Sequence, residues 1–294
     1  MRIVIADQME DVVVEEIKKL GEVEYKPTDV KKSLENADVV IVRSATKLTR
    51  ELISEVKNLK MVIRAGVGLD NVDKKACEEK NIRVLNTPNA SSNAVAELVL
   101  GLMIAMLRNV QKAHHQMKNG KWDKKNLTGT EIAGKTLGII GYGRIGAMLG
   151  DKARLLGMEI ISYNPLPRPD VKNVVFIDSL DDFLAKADVI SLHVPATNET
   201  CNMINKENIE KMKTGIFIIN TSRGEVIDED ALYDACKTGK IAGVALDVYK
   251  HEPYTGKLLE LENVFFTPHL GAGTKEAQIR IGQEVITILK NELK

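Results

Sequence analysis

The chain has 294 residues, 44% of them hydrophobic and 28% charged. That composition excludes wholesale disorder and a fibrous repeat and points to two domains or one large α/β domain. Lys plus Arg and Asp plus Glu number 41 each, so the formal net charge is zero. No global field draws such a chain to nucleic acid or to an anionic membrane, and a small-molecule partner is expected instead. The cysteines Cys77, Cys201 and Cys236 are scattered, with no C-x-x-C or Cys/His cluster. Neither a disulfide framework nor a bound metal is expected, and a reducing cytoplasm fits best.

Met1 leads into an apolar run at 3–6 that is too short for a signal-peptide core and reads as a strand. A helix is predicted over 12–20, closed by Gly21. Strands at 39–42, 61–64 and 82–85 then alternate with helices at 48–56 and 72–79. This alternation means βαβ units and a parallel sheet. The apolar stretch 94–107, broken by Glu97, falls short of the ~20 residues that span a bilayer and reads as a buried helix, with Ser91, Ser92 and Asn93 as candidate N-caps. Residues 111–134 turn polar and carry Trp122, the only tryptophan. This stretch is either an arm on a second subunit or a surface excursion, and Lys112, Lys118, Lys121, Lys124 and Lys125 form a solvated face on it.

A second series of strands follows at 136–140, 159–163, 188–194, 215–220, 243–248 and 263–266. The fold class is therefore α/β, with two doubly wound parallel-sheet domains and a cleft between them. Pro88 and Pro268 mark the linkers, and the final helix, 275–293, returns to the first module. The expected domains are 1–90 with 270–294, which is discontinuous, and 91–269. Segments 35–42 and 185–192 resemble each other, each ending a helix and opening a strand.

The sharpest local signal is the triplet Gly141, Gly143 and Gly146, between the strand at 136–140 and a helix predicted over 147–156 and ended by Gly157. In that setting backbone N–H groups and the helix N-terminus meet a pyrophosphate with no Cβ in the way. The alternative is a tight turn with no ligand. At the end of the next strand, where an acid usually binds the adenosine ribose, stands Asn164. It can hydrogen-bond a 2′-hydroxyl but carries no charge to repel a 2′-phosphate, and Arg168 lies four residues on. NAD is favoured because no compact basic cluster follows, and NADP stays open.

Three polar residues just after strands of the second series suit redox chemistry on a 2-hydroxy acid. Arg223 offers a guanidinium fork for an α-carboxylate and the adjacent carbonyl oxygen, or else a surface ion pair. His269, at the second linker, offers a proton donor and acceptor near neutral pH, and Glu252 a partner that fixes its tautomer. His114 and His115 are adjacent rather than four apart, His251 sits beside Glu252, and His193 ends a strand and shapes the cofactor pocket.

These motifs, with Arg64 to Gly68, Asn71 to Asp73, Asn86 to Asn89, Leu192 to Pro195, Asn220 to Gly224, Ala245 to Val248, Glu252-Pro253 and Pro268-His269, resemble the D-isomer-specific 2-hydroxyacid dehydrogenase family over essentially the whole chain. The resemblance implies a Rossmann-like cofactor domain and a flavodoxin-like substrate domain. It implies that Arg223 binds the substrate carboxylate, His269 is the acid/base and Glu252 its partner. Cofactor contacts are implied for Arg144, Ile145, Asn164, Thr221, Ser222, Asp247, Gly271 and Ala272. Gly66, Val67 and Gly68 would offer amides to the carboxylate, and valine at 67 departs from the commoner threonine. Arg43 and Arg64 match positions that face a distal phosphate.

The implied activity is oxidation of 3-phospho-D-glycerate to 3-phosphohydroxypyruvate with NAD, the first step of L-serine biosynthesis, by a cytoplasmic homodimer. Longer members carry C-terminal regulatory domains that bind serine, and feedback by that route is expected to be absent here. The rivals are a glyoxylate, hydroxypyruvate or D-lactate reductase, and a non-catalytic NAD-sensing protein of the corepressor kind.

Overall fold

The computed structural model describes residues 1–164 and 171–292. Arg168, which bears on the NADP question, and Leu293, at the end of the predicted last helix, lie outside the described residues. The chain divides into two compact units, Met1–Ser92 with Ala272–Lys294, and Asn93–Gly271.

The first unit runs β1 (Arg2–Ile5), α1 (Asp11–Lys18), β2 (Glu22–Tyr25), α2 (Val30–Leu34), β3 (Val39–Val42), α3 (Arg50–Glu55), β4 (Met61–Arg64), α4 (Lys74–Glu79) and β5 (Arg83–Asn86). Its sheet is parallel in the order β2-β1-β3-β4-β5. Strand order therefore reverses between β1 and β3, which is the doubly wound plan with its ligand crevice at the reversal. Successive strand residues point to opposite faces, and the core divides accordingly. Ile3, Ile5, Val39, Ile41 and Ile63 pack with Val13 and Ile17 of α1. Val4, Val40, Val42 and Val62 pack with Leu34 and Ile53. Because both faces are covered, β3 is apolar at every position. Asp29, Thr49 and Asp73 cap the N-termini of α2, α3 and α4 by accepting backbone N–H bonds.

The second unit runs α5 (Ser92–Leu107), α6 (Val110–Lys118), β6 (Thr136–Ile140), α7 (Arg144–Leu155), β7 (Glu159–Tyr163), β8 (Val175–Phe176), α8 (Leu180–Lys186), β9 (Val189–Leu192), α9 (Lys206–Lys211), β10 (Ile216–Asn220), α10 (Glu229–Thr238), β11 (Ile241–Leu246) and β12 (Val264–Phe266). Its parallel sheet has the order β12-β11-β10-β9-β6-β7-β8, with the reversal between β6 and β9. That is the Rossmann order with one strand added at the far edge. Val99, Met103 and Met106 of α5 pack against the face carrying Leu137 and Ile139. The other face carries Ile190, Leu192, Ile216 and Ile218. The last helix, α11 (Lys275–Glu292), belongs to the first unit, where Ile281, Val285 and Leu289 close the α1 face.

Several elements differ from the sequence expectation. The edge strands β2 and β8 lie where the sequence predicts no strand, and helix α6 lies in the stretch read as a polar arm or surface excursion. Helix α7 begins at Arg144 rather than at 147, inside the glycine motif, because Gly143 is itself the extended N-cap residue. Strands β9 and β11 end at Leu192 and Leu246, so His193 and Asp247 are the first residues beyond them. Among the described residues no single helix is long and apolar enough to cross a membrane; α5 and α6 qualify only as a pair bent by 64°.

Candidate active site

Two of the three glycines in the turn after β6 have a steric reason within the chain. Gly141 has φ +94, and a Cβ there would sit 2.6 Å from the His193 carbonyl oxygen. At Gly146 a Cβ would meet the Gly141 carbonyl oxygen at 2.5 Å and Ile139 Cγ2 at 3.0 Å, so close packing of α7 on β6 requires its absence. Gly143 is different, because its φ of −83° suits any residue and a Cβ would meet nothing within 4 Å. Nothing in the chain demands glycine at that position; the open space is what a pyrophosphate would fill. The N–H groups of Arg144, Ile145 and Gly146 form the first turn of α7 and have no intrahelical acceptors, so the cradle suits an anion. The residues present therefore fit a dinucleotide. Asn164 follows β7, the strand beside β6.

At the end of β10 the buried side chain of Asn220 folds the following turn. Its Oδ1 accepts from Ser222 N at 3.0 Å and Ser222 Oγ at 2.8 Å, while its Nδ2 donates to the Arg223 carbonyl at 2.8 Å. A Cβ on Gly224 would collide with the backbone of Tyr249 and Lys250. Glycine there lets the loop of Arg223 lie directly on the segment leading to Glu252, whose peptide bond to Pro253 is cis.

His269 and Glu252 meet. His269 Nδ1 lies 3.0 Å from Glu252 Oε2 and 3.1 Å from Oε1. A carboxylate only accepts, so Nδ1 carries the proton and Nε2 keeps its lone pair in the neutral ring. Tyr249 braces both partners. Its N–H donates to Glu252 Oε1 at 3.3 Å, and its hydroxyl lies 2.9 Å from the carbonyl oxygens of Leu246 and Thr267. Its ring stacks on Tyr254, with centroids 4.7 Å apart. Burial, with the Asp247 charge nearby, pushes the Tyr249 phenol up to about 12, so it remains a donor. Asp247, 1% exposed, accepts from Thr267 Oγ1 at 2.6 Å, Leu270 N at 2.6 Å and Gly271 N at 2.8 Å. The Gly271 amide is thus engaged within the chain, and the Ala272 carbonyl accepts from Thr274 N and Gln278 Nε2. His193 places Nε2 2.8 Å from Ser191 Oγ.

In the first unit Val42 is the register partner of Arg64, so Arg43 and Arg64 stand at the C-terminal edge of neighbouring strands, beside the reversal of strand order. Asp7 organises the Arg43 loop, accepting from Arg43 N at 2.5 Å and from Thr46 Oγ1 at 2.6 Å. Arg43 Nη1 donates to the Gln8 carbonyl at 3.0 Å, and burial lowers the guanidinium from its ordinary value, though it stays cationic. The Arg64 guanidinium lies so close over Gly66 that a Cβ there would overlap it. Beyond it, Val67 is 37% exposed and its carbonyl accepts from Asn86 Nδ2 at 2.6 Å, and Gly68 follows in the same turn. Asn220, Thr267 and Asp7 escaped the sequence reading, because each acts through hydrogen bonds to its own chain and no spacing advertises that. Among the described residues no group of three or more His, Cys, Asp or Glu side chains is placed to hold a metal ion.

Comparison with known proteins decides the family. Residues 100–271 match the D-isomer specific 2-hydroxyacid dehydrogenase, NAD binding domain. The chain belongs to the D-isomer specific 2-hydroxyacid dehydrogenase family. As a member it is an NAD-dependent dehydrogenase, and the glycine cradle at the β6–α7 junction is where this family's cofactor domain would take the pyrophosphate. A hydroxypyruvate reductase of Thermotoga maritima is 48% identical over 270 residues, covering 90% of this chain and 88% of that protein. A D-3-phosphoglycerate dehydrogenase of Methanocaldococcus jannaschii is 43% identical over 305 positions, covering all of this chain, which spans 58% of that relative's length. The structure of D-lactate dehydrogenase from Aquifex aeolicus, complexed with NAD and lactic acid, superposes with a TM-score of 0.89 at 32% identity, covering 100% of this chain and 95% of that one.

Proposed function

We propose that the chain oxidises 3-phospho-D-glycerate to 3-phosphohydroxypyruvate, with Arg223, Glu252 and His269 as its catalytic residues and Arg43 and Arg64 as the anchor for the distal phosphate. The observation that carries the substrate reading is the pair of arginines on adjacent strand ends, one of them partly desolvated, where a phosphate dianion is the natural counter-ion. Likeness to D-3-phosphoglycerate dehydrogenases supports it. Bound NAD supplies the acceptor for the C2 hydride. His269 Nε2 takes the C2 hydroxyl proton, and Glu252, accepting from Nδ1, balances the imidazolium that forms. Arg223 grips the carboxylate and steadies the developing carbonyl oxygen, and the family resemblance assigns the Gly66, Val67 and Gly68 amides to that same carboxylate. The base must be neutral to accept the hydroxyl proton, so a protonated ring opposes oxidation and serves reduction.

His269→Gln should lower kcat by about 10²–10⁴-fold with NAD binding retained; wild-type turnover with an unchanged pH profile would refute the assignment. A second reading, reduction of hydroxypyruvate, is favoured by the relative that this chain matches over most of both lengths. Arg43→Gln separates the two readings. It should raise KM for phosphoglycerate far more than for D-lactate or hydroxypyruvate, whereas equal effects would select the unphosphorylated substrate. We also infer a homodimer built on α6 and the segment after it, because Val110, Met117 and Trp122 are 51%, 54% and 80% exposed there.

A further inference from the structure

We propose that Asp247 is the positioning residue of the proton-transfer histidine, its buried carboxylate fixing the left-handed backbone at His269 through Thr267, Leu270 and Gly271. The inference rests on the reading of His269 as the acid/base. It begins with a strained residue: His269 has φ +54, a conformation that costs a non-glycine residue about 1 kcal/mol and persists only where its surroundings enforce it. The three donors to Asp247 bracket that residue, one two positions before it and two immediately after it. All are bonds to a carboxylate, the stronger kind, and the carboxylate is 1% exposed. Burying it without those donors would be costly, so carboxylate and loop hold each other. The ring is then fixed separately by Glu252 at Nδ1. Backbone and ring are each held at their own point, and Nε2 is left for the substrate.

This role differs from the cofactor contact that the family resemblance implies for Asp247. Of about four acceptor positions on a carboxylate, the chain already occupies three. Thr267 gives the cleaner test, since its hydroxyl serves the frame and has been assigned no part in binding. The experiment compares Thr267→Val, Thr267→Ser, Asp247→Asn and His269→Gln by steady-state kinetics, NADH fluorescence titration and the pH profile of oxidation. Thr267→Val should lower kcat by about 10-fold or more, with the NADH dissociation constant within about twofold, because a misplaced base slows proton transfer without loosening the cofactor. Its pH profile should differ from that of wild type as the ring drifts from Glu252, and Thr267→Ser should restore both kcat and profile. Asp247→Asn should move kcat and the profile the same way. If that variant fails to fold, Thr267→Val carries the test. Wild-type kcat and pH profile in Thr267→Val, with His269→Gln inactive, would overturn this proposal alone. An active His269→Gln would instead overturn the reading beneath it.

Discussion

At His193 the environment, rather than the residue type, sets the charge. The imidazole follows β9, its Nδ1 enclosed without a partner and its Nε2 against Ser191, and burial pulls its pKa down to about 4. The unfolded chain would protonate this ring near pH 6.5, so between about 6.5 and 4 the unfolded state binds more protons and stability falls as pH falls. The loss is at most about 3 kcal/mol, complete below pH ~4. Urea unfolding of wild type and His193→Gln at several pH values checks this. The stability gap between them should change in the variant's favour from pH 7 to 4.5, and parallel curves would sink the idea. Candidate residues were legible in the sequence where chemistry and position coincided. Arg223, Glu252 and His269 stand out because few reasons place such groups just past apolar strands. Asp247 and Asn220 hid their structural work, because most of their partners are backbone groups, and those of Asp247 lie 20–24 residues away.

At the scale of elements, the resemblance between segments 35–42 and 185–192 has a physical basis. Asp38 opens β3 and accepts from Arg2 N at 2.9 Å and Lys60 Nζ at 2.8 Å. Asp188 opens β9 and accepts from Thr136 N and Lys213 Nζ, both at 2.8 Å. In each sheet one aspartate ties the strand at the reversal to the first strand of its unit and to a lysine ahead of the next, pinning the register beneath the ligand edge. The Lys60 hydrogen bond, then that of Arg2 N, holds the Asp38 carboxyl below its usual range. At Asp188 burial works upward, but Lys213 and Thr136 together outweigh it. Stabilisation from such depressed carboxyls is complete above pH ~4 and lost as pH falls through the folded-state value. Asp188→Ala should cost about 1–3 kcal/mol at pH 7 by leaving the Thr136 amide unpaired, and the difference should shrink at pH 3 in chemical denaturation. A variant as stable as wild type at pH 7 would refute the device. An interior strand such as β3 was readable because burial on both faces demands an unbroken apolar run. The edge strand β2, Glu22–Tyr25, has one side to solvent and alternates charge with apolar residues, and β8 has only two residues. Neither carries that signature.

For the whole molecule, exact balance of 41 basic and 41 acidic residues removes net self-repulsion, so association is governed by local surface rather than by charge. The large exposed apolar side chains of one stretch of the second unit, Val110, Met117 and Trp122, lie on or just past α6, a helix with no buried residue of its own. A helix that contributes nothing to its own unit's core gains stability only by covering these groups, and a second copy of the chain offers the same surface. Sedimentation velocity at micromolar concentration should therefore find a dimer whose affinity changes little between low and high salt, as expected of apolar burial at zero net charge. Trp122→Glu combined with Met117→Glu should yield monomer with an unchanged circular dichroism spectrum, since neither side chain supports the fold. A wild-type monomer at these concentrations, or a dimer indifferent to both substitutions, would show that the exposed stretch serves some other surface.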